Sequence, residues 1–245
     1  MVQRARIEGR PENSWSLAWV PIEAISPVFL CAVIKAEDHF FFRHHGIDWD
    51  ATKQKARDAL RGAPTGGAST ITQQVVRNAF PMPRGTLPRK AYEMLLAQLV
   101  ELRLPKRRIL EVYMNIAELG SGMWGIGQAT QQYFGQKAET LDAAESAFLV
   151  SRLAAPRAPL VGANAARARL VQLRVLIQLR QSHVISTEEY ESARHELLPA
   201  ASSDSAFWNR RAESSASQDW RESWPRLDEV LASRCGLERE LRSRL

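Results

Sequence analysis

The run Phe29-Leu30-Cys31-Ala32-Val33-Ile34 constrains the fold of this chain more than any other segment. Six consecutive apolar residues leave no polar face, so the helix that carries them belongs in a core. Ser26-Pro27 ahead of the run supplies a start, with Ser at the N-cap and Pro at the first helical position. The helix is expected to run to Glu37. Immediately beyond it stands a polar and aromatic cluster, Asp38-His39-Phe40-Phe41-Phe42-Arg43-His44-His45-Gly46. A carboxylate at such a boundary is partly desolvated, which raises its pKa toward a range useful for proton transfer. The competing reading is a helix end whose charged pair simply faces water.

The chain has 245 residues, enough for one large domain with or without a tail. With 45% hydrophobic and 24% charged residues it has globular composition, which excludes overall disorder. The net charge of +6 favours an anionic partner, and its distribution is uneven. Arg77, Arg84, Arg89, Lys90, Arg103, Lys106, Arg107 and Arg108 are opposed within their segment only by Glu93 and Glu101, a surplus equal to that of the whole chain. One short segment therefore carries the anion-binding character. Cys31 and Cys235, one in the apolar run and one in a polar tail, suggest neither a disulfide framework nor a metal site. No stretch approaches the ~20 apolar residues of a membrane span, and no signal-peptide core opens the chain.

Strand signals are nearly absent, so the expected class is mainly α. Residues 1–14 read as a loose N-terminus, 15–199 as the domain, and 200–245 as a polar tail, disordered or partly helical, with 227–245 able to form a terminal helix. Within the domain, helices are expected over 27–37, 49–60, 69–79, from about 88 past 101, and over 106–119. Four more are expected over 126–134, 141–153, 165–181 and 187–198. Arg61-Gly62-Ala63-Pro64-Thr65-Gly66-Gly67 is a flexible loop and a candidate lid.

Three segments carry chemistry when read together. Glu37-Asp38 with Phe41, His44 and Gly46 is the first. The second is Gly67-Ala68-Ser69-Thr70-Ile71-Thr72-Gln73-Gln74, with Arg77 beyond it. A Gly-rich loop entering a helix exposes free N–H groups that suit a phosphate. The segment lacks the Gly-Lys-Ser/Thr of a P-loop, and alone it reads equally as a capped helix with a polar face. The third is Arg89-Lys90-Ala91-Tyr92-Glu93, whose two cations lie three and four residues before the carboxylate and share its helix face. That is either a surface ion pair or a second carboxylate among diphosphate-binding cations.

These spacings resemble the peptidoglycan glycosyltransferases, the lysozyme-like family of bacterial cell-wall polymerases. Glu37, Asp38, Phe41, His44 and Gly46 meet a Glu-Asp-x-x-Phe-x-x-His-x-Gly pattern. Residues 67–74 follow Gly-Gly-Ser-Thr-Ile-Thr-Gln-Gln, with Ala68 for Gly and Arg77 where Lys is usual. Arg89, Lys90, Glu93, Ala97 and Glu101 form a third element, with Val100 for Leu. Lys106, Ile109, Leu110, Glu111, Tyr113 and Asn115 form a fourth, with Met114 for Leu. Gly125-Ile126 to Tyr133-Phe134-Gly135 matches a fifth, with Gln128 and Gln136 as departures. Trp19-Val20-Pro21 and Asn115-Ile116-Ala117-Glu118 look most like the monofunctional biosynthetic branch. Lys35, where a small residue is common, is a departure two positions from Glu37.

The resemblance implies polymerisation of lipid II into glycan strands with release of undecaprenyl diphosphate. It makes Glu37 the general base and Glu93 its catalytic partner at the donor site. Arg77, Arg84, Arg89 and Lys90 would neutralise the diphosphate, and Ser69, Gln73 and Gln74 would position sugar and phosphate. No protein metal site is implied, although a divalent cation (Mg or Mn) at the diphosphate is compatible. Expected partners are lipid II, the nascent glycan strand, the membrane surface and other cell-wall synthesis proteins, with no nucleic acid. The expected location is the periplasmic face of the inner membrane, although the family's N-terminal anchor is not found in the sequence. The alternatives are a lytic transglycosylase or lysozyme-like glycan-cleaving enzyme, which has no use for a diphosphate-binding segment, and an inactive cell-wall scaffold.

Overall fold

The structure is a computed structural model and describes residues 19–63, 67, 69–197 and 235–236. The expected loose N-terminus lies outside the described residues. So do the middle of the Gly/Pro loop and, apart from Cys235 and Gly236, the 200–245 tail with its expected terminal helix.

Helix α1 spans Pro27–Glu37, as the Pro start and the apolar run predict. Every residue from Phe29 to Lys35 is buried, so this helix is enclosed on all sides. It packs against α7 (Ala143–Ala154) and α8 (Gly162–Gln181). Ser26 does not cap α1 through its side chain. Its hydroxyl instead donates to the Leu141 carbonyl at 2.7 Å, fixing the start of α1 to the approach of α7. The enclosure delivers Glu37 from a rigid base.

Helix α2 (Trp49–Leu60) follows, then α3 (Ile71–Ala79), α4 (Thr86–Arg103) and α5 (Lys106–Ile116). Helix α3 packs against both α4 and α5. It begins two residues later than the expected 69: the cap is Thr70, whose hydroxyl accepts from the Gln73 amide at 3.1 Å. The Gln73 side chain returns the bond to the Thr70 N–H at 3.0 Å, completing a capping box. Helix α5 ends before the expected 119 because Glu118–Gly120 (β1) pairs antiparallel with Met123–Trp124 (β2). Strands of three and two residues are too short to show an alternating pattern in sequence. Gly125 closes the hairpin at φ +79°, where a Cβ would lie 2.6 Å from the Asn115 carbonyl oxygen. Helices α6 (Ile126–Phe134) and α9 (Thr187–His195) complete the described α-helices, the latter packing on α8.

Residues ahead of α1 are tied to α5. The Val20 N–H donates to Asn115 Oδ1 at 2.8 Å, and Asn115 Nδ2 donates to the Val20 carbonyl at 2.9 Å. Trp19 donates to Glu111 at 3.1 Å beneath the Arg108 guanidinium.

The reading of the two cysteines as unconnected is corrected. Cys31 and Cys235 form a disulfide across 204 residues of sequence, and both are fully buried. Cys31 lies in the enclosed α1, so the described part of the tail reaches the core, and Gly236 abuts Ser182 at the end of α8. Two cysteines this far apart carry no spacing signal, and the Ser-, Arg- and Glu-rich surroundings of Cys235 conceal its burial.

Candidate active site

Glu37 closes α1 part-exposed. Burial pushes its carboxyl above the ordinary range, and the neighbouring Asp38 charge adds a smaller push. A hydrogen bond from Gln74 and the Arg77 guanidinium pull it partly back. Gln74 Nε2 donates to Glu37 Oε2 at 2.8 Å. The other end of that amide accepts from the Tyr113 hydroxyl at 3.1 Å. Tyr113 is buried on α5, and burial followed by the Glu37 charge raises its phenol well above 10, which keeps it a neutral donor.

Asp38 turns the other way. Its Oδ2 accepts from the Ile71 N–H at 2.9 Å, and its Oδ1 lies 2.8 Å from His44 Nε2. A carboxylate on the first N–H of a helix satisfies an otherwise free donor and meets the positive end of the dipole. The residue after Glu37 thus sets where α3 begins, and α3 in turn carries Gln73, Gln74 and Arg77. Gly46 completes the joint. Its carbonyl accepts from Thr70 Oγ1 at 2.7 Å. At φ +84°, a Cβ there would come within 2.8 Å of the Ala97 backbone on α4. This first motif is a clamp that fixes α1, α3 and α4 around Glu37.

A second cluster adjoins the first through Gln73, the neighbour of Gln74. Lys90 Nζ sits 2.5 Å from Glu93 Oε1 and 3.4 Å from both Ser69 Oγ and Gln73 Oε1. Glu93 is only 3% exposed, whereas the Lys90 side chain is 41% exposed. The Lys90 side chain therefore meets solvent while its ammonium is held in a polar seat. Ser69, Gln73, Gln74, Lys90 and both carboxylates are brought together on adjoining turns of α3 and α4 and the end of α1. Arg77 lies close enough to Glu37 to act on its charge. Arg84 and Arg89 are exposed. It is Lys90, three residues before Glu93, that makes the ion pair with it.

The basic segment divides in two. Lys106 is buried, donates to Glu101 at 2.6 Å and lies 4.4 Å over the Phe41 ring. Glu101 also accepts from Thr72 at 2.6 Å. Arg107 pairs with Glu23, and Arg108 pairs with Glu111. These three cations join α4, α5 and the N-terminal lead, which leaves Arg77, Arg84, Arg89, Lys90 and Arg103 as the candidates for an anion. Sequence reasoning did not separate them, because Glu23 and Glu111 lie outside the segment. Tyr113 stands in the fourth motif without a role of its own. Its helical spacing was the signal available, and that spacing places the ring but not the hydroxyl.

Lys35 is buried at the end of α1. Together with the larger effect of burial, its charge pushes the His39 imidazole below the ordinary histidine range, against the pull of Asp38. This places Lys35 electrostatically against the loop after Glu37. Among the described residues no group of three or more His, Cys, Asp or Glu is arranged to hold a metal ion.

The described residues thus form a mainly helical domain with one small hairpin, in which an enclosed helix ends on a carboxylate. Residues 5–180 match the transglycosylase family model, and the chain belongs to that family. A biosynthetic peptidoglycan transglycosylase of Rhodospirillum centenum is 45% identical over 139 residues, 57% of this chain and 60% of that protein. One from Rhodopseudomonas palustris is 43% identical over 171 residues, 65% of this chain and 72% of its own length. A third, from Bdellovibrio bacteriovorus, is 41% identical over 57% of this chain and 56% of the relative.

Proposed function

We propose that this protein is a monofunctional peptidoglycan glycosyltransferase that joins lipid II units into glycan strands and releases undecaprenyl diphosphate. The observation that carries the reading is the Glu37 carboxylate at the end of an enclosed helix, held by Gln74 at 2.8 Å beside the Lys90–Glu93 pair. The acceptor's sugar 4-hydroxyl attacks C1 of the growing strand. The C1–oxygen bond to the diphosphate breaks with inversion, and the hydroxyl proton passes to Glu37. A raised pKa suits this role, since a base works best when its pKa approaches the working pH.

Lys90 and Arg77, with Arg84 and Arg89 at the exposed edge, stabilise the charge that develops on the leaving diphosphate. Glu93 keeps Lys90 aimed, and Ser69 and Gln73 complete the seat. Glu93 would be the carboxylate to share a divalent cation with the diphosphate. Such an ion would take most of its ligands from the diphosphate oxygens, as Mg²⁺ does in phosphate sites.

The substrate is a lipid, so the site works at a bilayer surface. Tyr92, Leu95, Leu99 and Leu102 form one exposed stripe along α4, with Leu87 exposed near its start. Spacing of three and four residues puts these side chains on a single face, next to Arg89 and Arg103. An apolar stripe flanked by cations suits an anionic membrane interface. No described helix is long and apolar enough to cross a membrane. The buried disulfide fits an oxidising compartment and so supports work at the periplasmic face of the inner membrane.

The test is product type. Purified protein incubated with lipid II is expected to give long glycan chains and to leave finished cell wall intact. Soluble fragments released from finished wall, with lipid II unconsumed, would move the assignment to the hydrolytic class.

A further inference from the structure

Gln74 does not stand ready for a sugar or a phosphate: both ends of its side-chain amide are already engaged inside the protein. We propose that Tyr113 and Gln74 are positioning residues that act in series, the buried phenol fixing the amide and the amide fixing the Glu37 carboxylate. This rests on the reading of Glu37 as the base.

A carboxylate that is to take a proton must itself be ionised, so the group facing it has to donate. A glutamine amide presents nitrogen or oxygen according to which way it is turned, and the two ends differ little in shape. The Tyr113 hydroxyl lies at the far end of the Gln74 amide. With its phenol kept neutral, it donates to Oε1, which turns Nε2 toward Glu37. That bond occupies one carboxylate oxygen, Oε2, and holds the plane of the group. The three side chains come from the end of α1, the first turn of α3 and the last turns of α5, so the series joins three elements at the reacting group. Tyr113 acts through Gln74 and touches no substrate.

Tyr113→Phe removes one hydroxyl and keeps the ring in place. It is expected to lower kcat for lipid II polymerisation about tenfold or more while leaving KM within about twofold, the pattern of a group that tunes the reacting state and not binding. Gln74→Met is expected to show the same split. Combining the two should cost no more than Gln74→Met alone, because a series broken at its second member gains nothing from its first. A KM rise at constant kcat in Gln74→Met, as for a direct substrate contact, would overturn the proposal. So would kcat losses that multiply in the double variant. If Tyr113→Phe fails to fold, the kcat-against-KM split of Gln74→Met decides alone. Failure of the underlying reading looks different: wild-type protein would not polymerise lipid II, or Glu37→Gln would polymerise normally.

Discussion

At the scale of single residues, the two carboxylates to which the proposed function assigns the chemistry differ in their surroundings. Glu37 has a raised pKa because burial outweighs the bond from Gln74 and the charge of Arg77. Glu93 is buried against Lys90. Glu37→Gln is expected to abolish polymerisation, a loss of at least ~10²–10⁴-fold for a general base, with the fold intact by circular dichroism. The same substitution tests the burial. A carboxyl whose folded pKa exceeds its unfolded value binds its proton more tightly in the folded state. Its contribution to stability is therefore greatest below the unfolded pKa and is lost as pH rises through the folded one. Relative to wild type, Glu37→Gln should melt higher at neutral pH, and the gap should narrow on acidification toward about pH 4, near the unfolded value. Equal melting temperatures at both pH values would contradict the burial. Glu93→Gln should cost kcat severely, measured on lipid II, since it leaves Lys90 without the group that aims it. The place of Glu37 was legible in sequence, because the apolar run from Phe29 to Ile34 marks a buried helix that stops just beyond it. Tyr113 was not legible: its use depends on Gln74, which arrives from a helix 39 residues away.

At the scale of elements, the helices stood out in sequence wherever the chain changes character sharply. Pro27 opens α1, and glycines close α6 and precede α4. The misses share a cause, since each depends on a partner from elsewhere. Ser26 turned to Leu141 instead of capping its own helix, and the hairpin exists only because β1 and β2 pair with each other. The joint between the first motif and α4 makes a direct prediction. Gly46→Ala combines a positive φ with a backbone approach of 2.8 Å to Ala97, and should cost about 3 kcal/mol or more by denaturant unfolding. The α4 stripe makes another. Leu95→Glu and Leu99→Glu should each weaken binding to anionic vesicles about tenfold, the worth of one buried leucine. Because both positions are exposed, stability should change by less than about 0.5 kcal/mol. Vesicle binding unchanged by both substitutions would remove α4 from the membrane face.

At the scale of the whole molecule, the sequence made the mainly α, lysozyme-like architecture legible through the order of five motifs. It did not show what closes the molecule. Helix α1 is held by α7 and α8 along its length and by Cys235 at Cys31. A cross-link over so long a loop restricts the unfolded chain strongly, so Cys235→Ser or a reducing agent should lower stability by about 2–5 kcal/mol. A melting temperature unchanged in Cys235→Ser would mean that the bond does not stabilise the fold. Charge shows the same contrast between scales. The surplus in one segment reads as a single anion-binding stretch, yet Lys106, Arg107 and Arg108 within it are engaged by Glu101, Glu23 and Glu111. The central claim joins all three scales: an enclosed helix presents Glu37 as the base for glycan polymerisation. Its most direct test is the pH dependence of kcat/KM for lipid II in wild type and in Glu37→Gln. The account predicts an acid limb set by one ionisation above the ordinary carboxylate value of about 4.3, and loss of that limb with the activity in the variant. A Glu37→Gln protein that retains the limb, or that polymerises within about tenfold of wild type, would contradict it.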